Sequence, residues 1–130
     1  MKILIDDREK RPLEFMCETE RKRLKTGDYA LADQPNKVCI EAKHSVEDLC
    51  ASLCLAKRRA RFLKLGERAA SFEHRWLITP LIADILRGTR YSKVPGHVIL
   101  QKTIEWCATY HFILLAGITA SQLERQIEKL

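Results

Sequence analysis

Gly27-Asp28-Tyr29-Ala30-Leu31-Ala32-Asp33-Gln34-Pro35-Asn36-Lys37-Val38-Cys39-Ile40-Glu41-Ala42-Lys43 is the stretch on which the reading of this chain turns. Asp33-Gln34-Pro35-Asn36 is strong turn chemistry, since Asp and Asn bond their own backbone and Pro fixes φ. The flanking runs, Tyr29 to Ala32 and Lys37 to Lys43, read as the two strands of a hairpin. A tight turn centred between Gln34 and Pro35 sets Asp28 opposite Glu41. Directly opposed residues share a face, with Cβ atoms about 5 Å apart. Glu41 and Lys43 are two apart on one strand and share that face as well. The register thus gathers two carboxylates and an ammonium, while Ala42 points to the other side.

Like charges opposed across a hairpin are unfavourable, and a divalent cation between them removes the repulsion. Mg²⁺ suits the place, because it takes one or two carboxylates, keeps waters and binds phosphate oxygens; Mn²⁺ is the alternative. Such an ion polarises a phosphoryl group and acidifies a bound water. Lys43 would then orient that water or neutralise charge in the transition state. A surface hairpin whose lysine salt-bridges the acids is the plainer account of the same spacing. Against it stands the apolar setting of Glu41, after Val38-Cys39-Ile40, where an unpartnered carboxylate is costly to bury. Asp6 and Glu9, at the end of the first apolar run, bring more acid to the same edge.

Outward from the hairpin, Lys2 to Asp6 reads as a strand and Glu18 to Leu24 as an exposed one. Ser45, with Asp48 three residues on, opens a long helix. Its stripe is Val46, Leu49, Cys50, Leu53, Ala56, Ala60 and Leu63, with Gly66 as a candidate end. Trp76 to Thr79 is a strand, and a short helix from Pro80 toward Arg87 is closed by Gly88. Pro95-Gly96 precedes a helix with the stripe Ile99, Thr103, Trp106 and Tyr110. Phe112 to Ala116 reads as a buried strand, and Thr119 to Leu130 as a final helix with Thr119 and Gln122 as its capping box. Antiparallel strands followed by βαβα units predict an α/β fold, a mixed central sheet flanked by helices. Trp76 and Trp106 sit in apolar patterns, as core residues.

A chain of 130 residues is one domain by length. No apolar run reaches the length of a membrane span, and Met1 to Asp7 does not read as an export signal, so the expected compartment is the cytoplasm. Net charge is +6, which favours polyanionic partners, nucleic acid first. The five cysteines include no CxxC pair and read as free thiols in a reducing compartment.

Three runs then carry a resemblance. Ile5-Asp6-Asp7-Arg8-Glu9, Leu24-Lys25-Thr26-Gly27-Asp28-Tyr29-Ala30-Leu31 and Ile40-Glu41-Ala42-Lys43-His44-Ser45-Val46-Glu47-Asp48-Leu49 resemble the nuclease domain of the XPF-type structure-specific endonucleases. These belong to the PD-(D/E)xK, restriction-endonuclease-like superfamily, and small stand-alone members occur in phages and prophages. The resemblance implies a restriction-endonuclease-like core and a single nuclease domain over 1–130; family members usually add helix-hairpin-helix and sometimes helicase domains, and neither is expected within these residues. It implies metal-dependent DNA endonuclease activity on branched, flap or junction DNA, in repair, recombination or phage DNA processing, in a bacterial or phage-infected cell.

By position, Asp28 and Glu41 would be metal ligands and Lys43 the catalytic lysine. Asp6 and Glu9 would be supporting acids, and Arg8 would brace the site or touch phosphate. Two departures stand out. The family's arginine between acid and lysine is Ala42 here. The family's last acid falls on Glu47 by strict spacing and on Asp48 by local match, with Asp48 favoured.

Lys57, Arg58, Arg59, Arg61, Lys64 and Arg68 crowd the long helix, and Lys57, Arg61, Lys64 and Arg68 fall on one stripe. Beside a phosphodiester-cleaving site this stripe reads as a phosphate track. The family places an arginine of this region in the active site, and Arg58, Arg59 and Arg61 are the candidates. Arg90, Tyr91 and Lys93 form a second polar loop that could contact DNA. The resemblance also admits a homodimer or a partner subunit. A non-catalytic DNA-binding scaffold of the same fold is the rival reading, and an RNA nuclease is a third.

Overall fold

The computed structural model describes residues 1–130. Its strands are β1 (Lys2–Asp6), β2 (Glu18–Lys22), β3 (Tyr29–Leu31), β4 (Val38–Ala42), β5 (His74–Thr79) and β6 (Ile113–Ala116). They form one sheet in the order β2-β1-β3-β4-β5-β6. β3 is antiparallel to both β1 and β4, whereas β2, β5 and β6 run parallel to the strands they join. Tyr29 pairs with Ile40, which is the register that the turn chemistry predicts.

Alternation along β4 divides the core into two layers. Val38, Ile40 and Ala42 join Ile3, Tyr29, Trp76 and Ile78 beneath helix α5 (Ala120–Glu128), which contributes Leu123 and Ile127. Cys39 lies on the other face with Leu77, under α1 (Val46–Cys54), α2 (Ala56–Arg68), α3 (Ile82–Arg87) and α4 (Gly96–Tyr110). Period-two alternation puts Glu41 on that second face, so the site opens on the α1–α4 side. Ala42 is buried on the α5 side. Trp76 and Trp106 are both core residues.

Three expectations are corrected. The long helix is two helices, because Leu55 takes an extended backbone (φ −83°, ψ 126°) between α1 and α2. The break re-aims the chain, so that Ala60 is exposed and Phe62 and Gly66 become the buried face of α2. Gly66 does not end the helix. It lets Tyr110 approach, since a Cβ there would lie 2.5 Å from the Tyr110 ring. β6 is a half-exposed edge rather than a buried strand, with Ile113 57% exposed.

The remaining signals act as read. The Asp48 amide donates to Ser45 Oγ (3.0 Å) at the start of α1, and Thr119 with Gln122 forms the capping box of α5. No helix is long and apolar enough to cross a membrane. The cysteines are free, and Cys39, Cys50 and Cys107 are buried.

Candidate active site

Asp28 is fixed by backbone bonds before its side chain does anything. Its amide donates to Ile40 O (2.7 Å), and its carbonyl accepts from the Asp6 amide (2.8 Å). Gly27 makes this turn possible with φ +85°, and a Cβ there would lie 3.1 Å from both Cys39 Sγ and Ile40 O. The Asp28 carboxylate accepts from the Ala42 amide (2.8 Å). Lys43 continues the pairing of β4 with β5, donating its amide to Ile78 O (2.8 Å).

Glu41 is 6% exposed. Burial pushes its carboxyl well above the ordinary carboxylate range, and the neighbouring Asp28 carboxylate pushes the same way. The Lys43 ammonium, 3.7 Å away, works against both. A carboxyl pushed up by burial and by a neighbouring carboxylate is relieved by taking a proton, and a cation beside it is another means of relief.

The remaining acids have partners. Asp6 is 3% exposed. Its carboxylate accepts from Arg8 Nε (2.9 Å), from Arg8 Nη2 (3.2 Å) and from the Leu24 amide (2.9 Å). Burial raises its pKa, but the Arg8 and Leu24 donors outweigh that and hold it below the usual value. Arg8 also donates to Leu24 O (2.8 Å), which ties the loop after β1 to the segment before Gly27. Glu9 lies 3.3 Å from His44 Nε2, just beyond Lys43. Asp48 is ion-paired with Arg58, and Glu47 accepts from Thr89 Oγ1 (3.0 Å). No group of three or more acidic, histidine or cysteine side chains converges here. Asp28 and Glu41 are the two acids that meet beside Lys43.

Asp6, Asp28, Glu41 and Lys43 line a cleft of about 740 Å³, whereas Glu9, Glu47 and Asp48 are not among its lining. Arg58, Arg61, Lys64 and Arg68 line it from α2, and Arg8, Lys10 and Lys25 from the loops beyond β1 and β2. Of the expected basic residues, Lys57 and Arg59 are not among its lining. Arg59 borders a second hollow of about 180 Å³ with Leu53, Trp106 and Tyr110, which contains neither Asp28 nor Glu41. Arg90 stacks over Tyr91 (5.3 Å) outside the cleft.

Sequence reasoning did not find Lys10, Lys25 or Phe62. Lys25 stands two residues before Gly27, so proximity to the motif was the available signal. Lys10 carried none, because loops have no periodicity to read.

No protein-family model and no curated protein sequence matches the chain. Among solved structures it is similar to XPF from Aeropyrum pernix, with a TM-score of 0.71 and 16% identity over 99% of this chain and 59% of that one. The same protein in complex with DNA gives a TM-score of 0.69 and 18% identity, over 98% and 62%. The chain therefore spans less than two thirds of the length of either structure. With its mixed six-stranded sheet between two helical layers, the chain has the restriction-endonuclease-like α/β fold of an XPF nuclease domain.

Proposed function

We propose that this chain is a magnesium-dependent DNA endonuclease that hydrolyses phosphodiester bonds. The observation that carries the reading is the meeting of Asp28, Glu41 and Lys43 on the floor of a cleft whose walls are cationic. A buried Glu41 carboxyl whose charge is disfavoured by burial and by Asp28 fits an ion that binds through one or two carboxylates and keeps its waters. Mg²⁺, or Mn²⁺ in its place, supplies Lewis acidity toward a phosphoryl oxygen and acidifies water.

The chain's own residues do the rest. Asp28 and Glu41 would hold the ion, Glu41 binding it as the carboxylate. Asp6, saturated by Arg8 and Leu24, braces the wall beside them. Lys43 offers its ammonium to the charge that develops on the phosphoryl group. Arg61, Lys64 and Arg68 on one side, with Lys10 and Lys25 on the other, grip backbone phosphates and carry no base specificity. Arg58 stays engaged with Asp48 and stiffens the α1–α2 corner.

DNA as substrate is supported by the DNA complex of the XPF neighbour, and its branched, flap or junction form is proposed from the resemblance of the sequence motifs.

The test is incubation with labelled flap, fork, junction, plain duplex and RNA substrates, in Mg²⁺ or EDTA, beside Lys43→Ala and Glu41→Ala. Metal-dependent cleavage lost in both variants, with binding retained, is the expected result. Binding without cleavage by the unaltered protein would favour a non-catalytic scaffold.

A further inference from the structure

We infer that Phe62 is a positioning residue for Lys43, an assignment that rests on the nuclease reading of this site. The Lys43 side chain is only 12% exposed, and an ammonium taken that far from water needs compensation. Glu41 supplies part of it. At 3.7 Å, however, the contact is longer than the 2.7–2.9 Å typical of a charge-assisted hydrogen bond, so it does not fix a direction. The Phe62 ring lies beneath the ammonium, with its centroid 4.9 Å from Nζ. That is inside the roughly 6 Å range over which a ring face attracts a cation.

The ring is itself immobilised. Phe62 stacks on Trp106 with centroids 4.0 Å apart and planes within 2°. Trp106 Nε1 donates to Phe62 O (3.3 Å), and Phe112 packs on Trp106 at 4.5 Å. Phe62 belongs to α2, the helix that also presents Arg61, Lys64 and Arg68 to the cleft. One rigid helix therefore sets both the phosphate-gripping wall and the height of the lysine above the floor. No acid, base or metal role is assigned to Phe62. Its π-face holds Lys43 where its charge meets the phosphoryl group.

The experiment varies the ring's electrostatics at nearly constant shape. Phe62 is replaced by Leu, by Tyr, and by mono-, di- and trifluorophenylalanine, each fluorine weakening the negative ring face. Single-turnover cleavage, KM for DNA, melting temperature and the proton NMR shifts of the Lys43 methylene next to Nζ are measured on each. Expected is a stepwise fall in the cleavage rate along the fluorinated series, reaching about tenfold for Phe62→Leu. KM and melting temperature stay level across the fluorinated forms, and Phe62→Tyr retains activity. The upfield ring-current shift of Lys43 persists in the aromatic forms and collapses in Phe62→Leu.

A cleavage rate that is flat across the fluorinated series and in Phe62→Leu overturns the assignment while leaving the nuclease reading intact. A normal Lys43 shift in the unaltered protein also overturns it. Absence of cleavage of every substrate by the unaltered protein refutes the nuclease reading and the positioning role with it.

Discussion

Replacing Glu41 by Gln removes a charge that the fold disfavours, and the direction of the effect follows from its surroundings. Burial and then Asp28 raise its carboxyl well above the ordinary 4.5, and Lys43 only partly opposes them. The folded state therefore keeps the Glu41 proton to a higher pH than the unfolded chain does. Between those two pKa values folding takes up a proton, so stability falls as pH rises. Glu41→Gln escapes that loss.

In EDTA near pH 8 the variant should be the more stable by about 1–2 kcal/mol, roughly 3–8 °C in Tm for a domain of this size. The gap should close as pH falls below about 4.5, where both states of the wild type are protonated. Mg²⁺ at about a hundredfold over its Kd should return about 2.7 kcal/mol to the wild type and little to the variant. Thermal melts across pH, first in EDTA and then with MgCl₂, read all three effects. A wild type as stable as Glu41→Gln at pH 8 without metal would refute the reasoning, as would equal stabilisation of both by Mg²⁺.

Gly66→Ala should lower stability by about 1–2 kcal/mol in urea titration, because overlap with the Tyr110 ring outweighs the roughly 1 kcal/mol that Ala gains over Gly in a helix. Ala42→Arg, which restores the residue type of the XPF-type motif, should cost about 2–4 kcal/mol in the same titration without faster cleavage. The Ala42 side chain is buried in the apolar layer under α5, not in the cleft. Replacing Arg61, Lys64 and Arg68 together by Ala should weaken DNA binding uniformly across sequences. The slope of log affinity against log salt should flatten by about 0.9 per cation removed; an unchanged slope in fluorescence anisotropy titrations would place the phosphate track elsewhere.

The hairpin was legible because turn chemistry and period-two alternation are local, and together they set Asp28 against Glu41 without reference to the rest of the fold. The break at Leu55 was not. Leu55 and Ala56 suit a helix, and the periodicity of Ala56, Ala60 and Leu63 runs through them. What re-aims α2 is packing of Phe62 on Trp106 and of Gly66 on Tyr110, residues more than forty positions away in the chain. β2 was legible only as an exposed strand, since all five of its residues are exposed and no apolar face announces its parallel pairing with β1. Asp48 shows the limit for the site itself: sequence places an acid near the helix start, while its engagement by Arg58 depends on the turn at Leu55.

The most direct test of the central claim is the single-turnover cleavage rate of Lys43→Ala against the unaltered protein on labelled flap DNA in Mg²⁺, with DNA affinity measured on the same samples. The account predicts a rate at least about a hundredfold lower at unchanged affinity and melting temperature. Equal rates at equal affinity would contradict it.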